Sequence, residues 1–291
     1  MRDDGYFPRT TSMLRRVHEE RAVGLLYGQR ALAIGAIAPL NYIGTREHTR
    51  SLDKPFQRLT HTAKAFETIF FGSKAQADKI LAFVHRLHED VHGELPHDAG
   101  PFKAGTPYSA FDPDLMLWTV AVIADSAQTF YELFVRDLTA DERDALWHDY
   151  VRFAELFGMP RDAAPASYQE FRSYYEDRLA SPDAYLTEDA RYVGSAILFH
   201  IPVPPIRQPA MQVHNLIMRG ALPSRVRELY GLAWTPAHAA AFAAVVRASR
   251  ASRPLMPTWA QRGWNTSFFE NVARTEKARL ARGERIYGAL A

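Results

Sequence analysis

Apolar positions recur at three- and four-residue spacing along almost the whole chain, and no stretch alternates apolar and polar residues long enough to suggest a sheet. The pattern predicts a first helix from about Thr11 or Ser12, either able to cap it, to about Tyr27. A second, apolar helix covers residues 29–38 and stops at Pro39, and residues 45–55 read as polar and turn-like. Residues 56–71 form the next helix, closed by Gly72. Another spans 74–92, with Ala75, Ile80, Leu81, Val84, Leu87 and Val91 near one face and Gly93 at its end. After a turn-rich loop over 94–107, Asp112 caps a long apolar helix to about Val135 that carries Pro113 in its first turn. Thr139-Ala-Asp-Glu142 is a capping box that opens a helix toward Gly158. Further helices are predicted over 167–179, 187–199, 235–249 and 267–281, with a Pro-rich connector at 200–209 and short helices after it to about Gly231.

This pattern gives an all-α fold of one multi-helix domain over residues 1–291. The core lies at about 15–260, with a basic amphipathic helix over 261–291. Composition changes the picture little. The 291 residues are 47% hydrophobic and 23% charged, as in an ordinary globular protein, and the net charge of +2 gives no drive toward nucleic acid. No cysteine is present, which removes disulfides, iron–sulfur clusters and a thiolate iron ligand. Residues 1–8 lack the apolar core of a secretory signal. The most hydrophobic stretch, 22–44, is interrupted by Gln29, Arg30 and Pro39, short of the roughly 20 apolar residues a membrane span needs. A soluble cytoplasmic protein is the expectation.

The chemistry concentrates between Arg58 and Trp118. His85, His88 and His92 are spaced by three and four residues, which places them on one face if the helix runs to 92. Four readings are open. The stripe can be structural polar surface in a non-catalytic helical protein. His88-Glu89-Asp90-Val91-His92 matches H-E-x-x-H, the zinc-hydrolase pattern, although Asp90 charges a position such helices usually keep apolar and no third ligand is evident. Glu89-x-x-His92 is one half of a di-iron site whose second half is missing. One histidine can also hold a haem iron while its neighbours do acid–base work.

The order of short signatures resembles the family of MpaB-type oxygenases and the rubber oxygenases called latex-clearing proteins. These are Gly28-Gln-Arg-Ala31 leading to Pro39, Glu47-His48 with Asp53-Lys-Pro55, Arg58-Leu59-x-His61-Thr62, Phe71-Gly72 and His88-x-x-Val91-x-Gly93. Tyr108-x-Ala-x-Asp112-Pro113-x-Leu-x-x-Trp118 and Leu222-Pro223-x-x-x-Arg227-x-x-Tyr230-Gly231-Leu232-x-Trp234 complete the series. The resemblance covers roughly 15–260. It implies globin-like helical packing around haem b, and an oxygenase that adds dioxygen across a carbon–carbon double bond of a hydrophobic small molecule or polymer. It further implies His88 as axial iron ligand, Arg58 and Thr62 as cofactor-binding residues, and His85 or His61 as proton-transfer groups. Glu47 is the nearest candidate for the catalytic carboxylate. Phe66, Phe70, Phe71, Leu115 and Trp118 are candidate apolar walls. For Arg58 the alternative is a salt bridge to Asp53 or Glu67. Two departures stand out. Many members carry His where this chain has Ala38 and Val120, which makes the interior more apolar.

Overall fold

The computed structural model describes residues 5–48 and 54–284, and among these it is helical apart from one short ribbon. Met13–His18 (α1) starts at Ser12, whose hydroxyl accepts from the Arg15 amide. Arg21–Gly35 (α2) follows after an extended residue, Glu20. The break predicted near Gly28 is therefore misplaced: Gly28 and Gln29 run inside α2, and the chain turns at Glu20 instead. The Glu20 carboxylate is buried and holds Arg253 and Arg262 at 2.7 and 3.0 Å. A boundary fixed by a tertiary ion pair leaves no local signature. Pro39 opens Pro39–Glu47 (α3), bent 106° from α2.

The next helices are Pro55–Phe71 (α4) and Lys74–Glu89 (α5). His92–Glu94 (β1) and Pro107–Ser109 (β2) then form an antiparallel ribbon, pairing Gly93 with Tyr108. Pro113–Phe134 (α6) is buried on nearly every side from Leu115 to Phe134, as a central helix must be when it is apolar all round. It packs along α2 at the middle of the molecule. Ala140–Leu156 (α7), Tyr168–Ala180 (α8), Glu188–Phe199 (α9) and Gln208–Ala221 (α10) surround this pair. Ser224–Leu229 (α11), Pro236–Ser252 (α12), Thr258–Gln261 (α13) and Thr266–Ala281 (α14) complete the fold. The capping residues Asp112, Thr139 and Thr187 lie where the sequence puts them.

The long helices α4 and α14 pack together and position the candidate site. α4 has no side-chain cap of its own. Glu276 of α14 supplies one, accepting from the Phe56 and Gln57 amides at 3.1 and 3.0 Å. In return Glu67 of α4 accepts from the Asn265 amide at 2.7 Å and from the Thr266 hydroxyl at the start of α14. Each helix thus sets a carboxylate against the positive end of its antiparallel neighbour. No single helix among the described residues is long and apolar enough to cross a membrane.

Candidate functional site

α5 begins at a capping box on Ser73 and ends at Glu89, with Asp90 as C-cap. The three histidines therefore do not share a helix. His85 and His88 lie one turn apart on α5, whereas His92 is exposed on β1 with its Nδ1 at 3.1 Å from the Glu89 carbonyl oxygen. Ribbon pairing between Gly93 and Tyr108 takes the chain out of the helix three residues too early for an H-E-x-x-H arrangement. Among the described residues, no group of three or more His, Asp and Glu side chains converges as a metal cluster would.

His88 is half-buried, and its Nδ1 has no hydrogen-bond partner among the described residues, a costly state for an enclosed polar atom. Its ring centroid lies 6.1 Å from Phe111 and 6.5 Å from Phe157. Burial, and then the neighbouring His85, lower its pKa, so the imidazole is neutral near pH 7. His85 is exposed, packs on Phe111 at 4.8 Å and faces Glu89 at 3.8 Å.

Arg58, Thr62 and Phe66 follow one another at four-residue spacing on α4, which packs against α5. Arg58 and Thr62 are exposed, and the Thr62 hydroxyl donates to the Arg58 carbonyl at 3.3 Å. The protein around the Arg58 guanidinium lowers its pKa by desolvation, against the influence of Tyr42. Burial and Asp189 push the Tyr42 hydroxyl up to about 12, despite Arg46 and Arg58. Of the two acids proposed to pair with Arg58, Glu67 is engaged with α14, and Asp53 lies outside the described residues. Phe66 continues the stripe to Phe157 at 6.3 Å, and so toward His88. His61 is exposed on α4.

Glu47 is exposed at the end of α3. It joins a different cluster, in which the Tyr108 hydroxyl lies 3.3 Å from His48 Nε2. Burial, then the Glu47 charge, raises the Tyr108 pKa. The Tyr108 ring lies on Gly44 and Gly93, where an added Cβ would come within 3.1 and 3.0 Å of it. That close approach explains why Gly93 and Tyr108 stand where they do.

Of the proposed apolar walls, Phe66 lies nearest His88 through Phe157. Phe70 belongs to the main core, and Phe71 stacks on Trp264 at 5.7 Å. Leu115 and Trp118 line a crevice of about 10 Å³ with Ala38 and Pro39, room for one water. Ala38 and Val120 are both buried. Phe111 and Phe157 flank His88 without any signal in spacing or composition. The buried charge cluster was also illegible in the sequence. Arg30 donates to Asp125, Ser126 and the Ala221 carbonyl at 2.7, 2.8 and 2.7 Å, and Arg172 donates to Asp125 at 2.5 Å. Burial opposes ionisation of Asp125, but the two arginines outweigh it and hold the carboxyl below its ordinary range.

Residues 15–251 match the family described as ER-bound oxygenase mpaB/B′/Rubber oxygenase, catalytic domain. The chain belongs to this family. It is an oxygenase-type catalytic domain, and oxygenase chemistry implies dioxygen and an organic substrate. Two relatives are uncharacterized proteins, one from Mycobacterium bovis and one from Mycobacterium tuberculosis. Each is 25% identical over 212 residues, covering 72% of this chain and 78% of the relative. No solved structure matches.

Much of the signature read from the sequence is scaffold in the fold. The Arg30 guanidinium ties α2 to α6 and α10. Arg227 donates to the Leu222 carbonyl and lies over Trp234, and the Tyr230 hydroxyl donates to the Ala33 carbonyl at 3.0 Å. Trp118 Nε1 donates to the Gly35 carbonyl at 3.3 Å. Arg58 and Thr62 on α4 and His88 on α5 remain the chemical candidates.

Proposed function

We propose that the chain is a haem b-dependent oxygenase acting with dioxygen on a hydrophobic, unsaturated substrate, with His88 as the axial iron ligand. The observation that carries this reading is the His88 imidazole inside an oxygenase domain: enclosed, neutral, and with an unpartnered ring nitrogen. The neutral ring is the form that ligates metal. An unmet buried polar atom costs about 1–3 kcal/mol, which a ligand bond or a partner held by the cofactor would offset. On these grounds the residues present fit a haem.

Arg58 would hold a propionate through paired, charge-assisted hydrogen bonds, with Thr62 one turn on adding a hydroxyl. Phe66, Phe111 and Phe157 would present apolar surface to the macrocycle and keep water from it. Bound haem supplies the iron at which dioxygen is activated. Among the proton-transfer candidates, His85 is the one beside His88 and open to solvent. His61 lies on the exposed face of α4, and Glu47 belongs with His48 and Tyr108, where it would act only on a substrate reaching across α3.

The test is an absorption spectrum of purified protein and of His88→Ala, with iron and zinc quantified. An intense band near ~400 nm that disappears in the variant supports axial ligation. Protein that stays colourless after haem is supplied would sink the reading and leave a non-catalytic member of the fold. Arg58→Ala should then retain the band but release haem faster, since it removes an anchor and not the ligand.

A further inference from the structure

Four of the ten most exposed large apolar side chains among the described residues fall within one stretch of ten residues. They are Leu255 at 87% exposure, Met256 at 41%, Trp259 at 74% and Trp264 at 55%. This stretch lies between α12 and α14, beyond the part of the chain that matches the family. Scattered exposed apolar residues need no explanation, but a local concentration of this kind does.

The stretch is fastened from beneath. Buried Glu20 binds Arg253 and Arg262, at its two ends. Arg21 donates to the carbonyls of Trp259 and Trp264 at 2.9 and 2.6 Å. Gln261 donates to those of Arg253 and Met256 at 3.1 and 2.6 Å. The Gly263 amide donates to the Glu19 carbonyl at 2.9 Å. Gly263 has φ +137°, and a Cβ there would lie 2.6 Å from the Arg21 guanidinium, so only glycine suits the position. Backbone carbonyls are thus satisfied on the protein side while the apolar side chains face outward. That division suits a segment entering an apolar phase, where unmet backbone groups are costly.

The charge around it has one sign in excess. Arg9, Arg15, Arg21, Arg253 and Arg262 surround the base of the stretch, and the acids facing them are Glu19, Glu20 and Glu67. Five cations against three anions leave an excess of two positive charges among the described residues. Tryptophan and leucine tips above an arginine-rich base are what the interface of an anionic bilayer accommodates. We propose that residues 253–264 form a ledge that docks this domain on an anionic lipid surface, with Leu255 and Trp259 entering the interface. Docking is peripheral and reversible, since two or three side chains contribute modest burial and a small charge excess adds attraction that salt screens.

The experiment is co-sedimentation of the full chain with phosphatidylcholine vesicles and with vesicles containing phosphatidylglycerol, for wild type and Leu255→Ser/Trp259→Ser. Both substitutions are at exposed positions, and a thermal melt checks that the fold is kept. Wild type should bind the anionic vesicles, more weakly at high salt, and the double variant, which loses two large apolar side chains from the interface, should bind at least about ten-fold less. In parallel, brominated acyl chains should quench wild-type tryptophan fluorescence, because Trp259 and Trp264 are exposed whereas Trp118 and Trp147 are buried. Binding that the double variant retains, or no binding with no quenching, would overturn the proposal. So would a wild-type dimer that Leu255→Ser/Trp259→Ser makes monomeric without any vesicle binding, because a second copy would then own the surface.

Discussion

His18 offers a quantitative check on the core. It lies on α1, is 3% exposed, and packs against Tyr27 and Phe70 at 4.6 and 4.4 Å between ring centroids. The Tyr150 hydroxyl lies 2.6 Å from its Nε2, and among the described residues no carboxylate is bonded to the ring. Burial alone pushes its pKa down to about 3 from 6.5. The folded state therefore keeps the ring neutral, while the unfolded chain takes up a proton as soon as pH falls below 6.5. Stability is full above that value and is lost progressively as pH falls toward about 3. Linkage gives a loss of roughly 2 kcal/mol by pH ~5, and roughly 5 kcal/mol below both values.

The assay is urea unfolding of wild type and His18→Gln at pH ~7.5 and ~5. Other histidines titrate in both proteins and cancel in the comparison. Wild type should lose about 2 kcal/mol more than the variant between the two pH values, even though the variant starts less stable through worse packing. Equal losses would refute the claim that a neutral, proton-excluding His18 is built into the fold.

Other outcomes follow from the same geometry. Asp125→Ala should destabilise by about 3–5 kcal/mol in thermal or urea melts, because Arg30 is left as a buried charge without its acid, while Arg172, partly exposed, keeps Glu176. Asp125 itself stabilises above its unfolded pKa, and that contribution goes as pH falls through its lower folded value. Glu276→Ala removes the carboxylate that caps α4 and should cost about 1–2 kcal/mol. If the haem reading holds, the same variant should loosen Arg58 and speed haem loss. Gly93→Ala should force the Tyr108 ring away from His48, read as lowered stability, whereas Tyr108→Phe, which keeps the ring in place, should be much milder.

Helix content was legible because it rests on local periodicity and capping chemistry, and Asp112, Thr139 and Thr187 needed no tertiary information. What sequence could not show was set from far away in the chain. The turn at Glu20 depends on Arg253 and Arg262, and the end of α5 depends on Tyr108 pairing with Gly93. That second event separates His92 from His88, so the H-E-x-x-H spacing was read along a helix that stops short of it. Candidate site residues were visible as residue types, and their neighbours were not: Phe111 and Phe157 reach His88 from the β2–α6 turn and the end of α7. The buried Arg30–Asp125–Arg172 cluster joins α2, α6 and α8, helices whose order in the chain says nothing of their contact.

The two departures from the resembled family bear on where protons can enter. Ala38 and Val120, read from the sequence as places where the resembled family carries histidine, are both buried, Ala38 beside Trp118 and Leu115 in a crevice that holds one water at most. Neither side chain can carry a proton, and the ionisable groups lining the crevice beside Ala38 are Arg178 and Asp183. In the proposed chemistry proton transfer is assigned to the solvent edge of α5, where His85 sits one turn from His88 and faces Glu89. His85→Gln should therefore lower turnover by about 10²–10⁴-fold while leaving the haem absorption band in place, the range expected for loss of a general acid or base. Turnover that is unchanged in His85→Gln but abolished in Glu47→Gln would move the proton-transfer group to the α3 cluster beside Tyr108, and the assignment to α5 would be wrong.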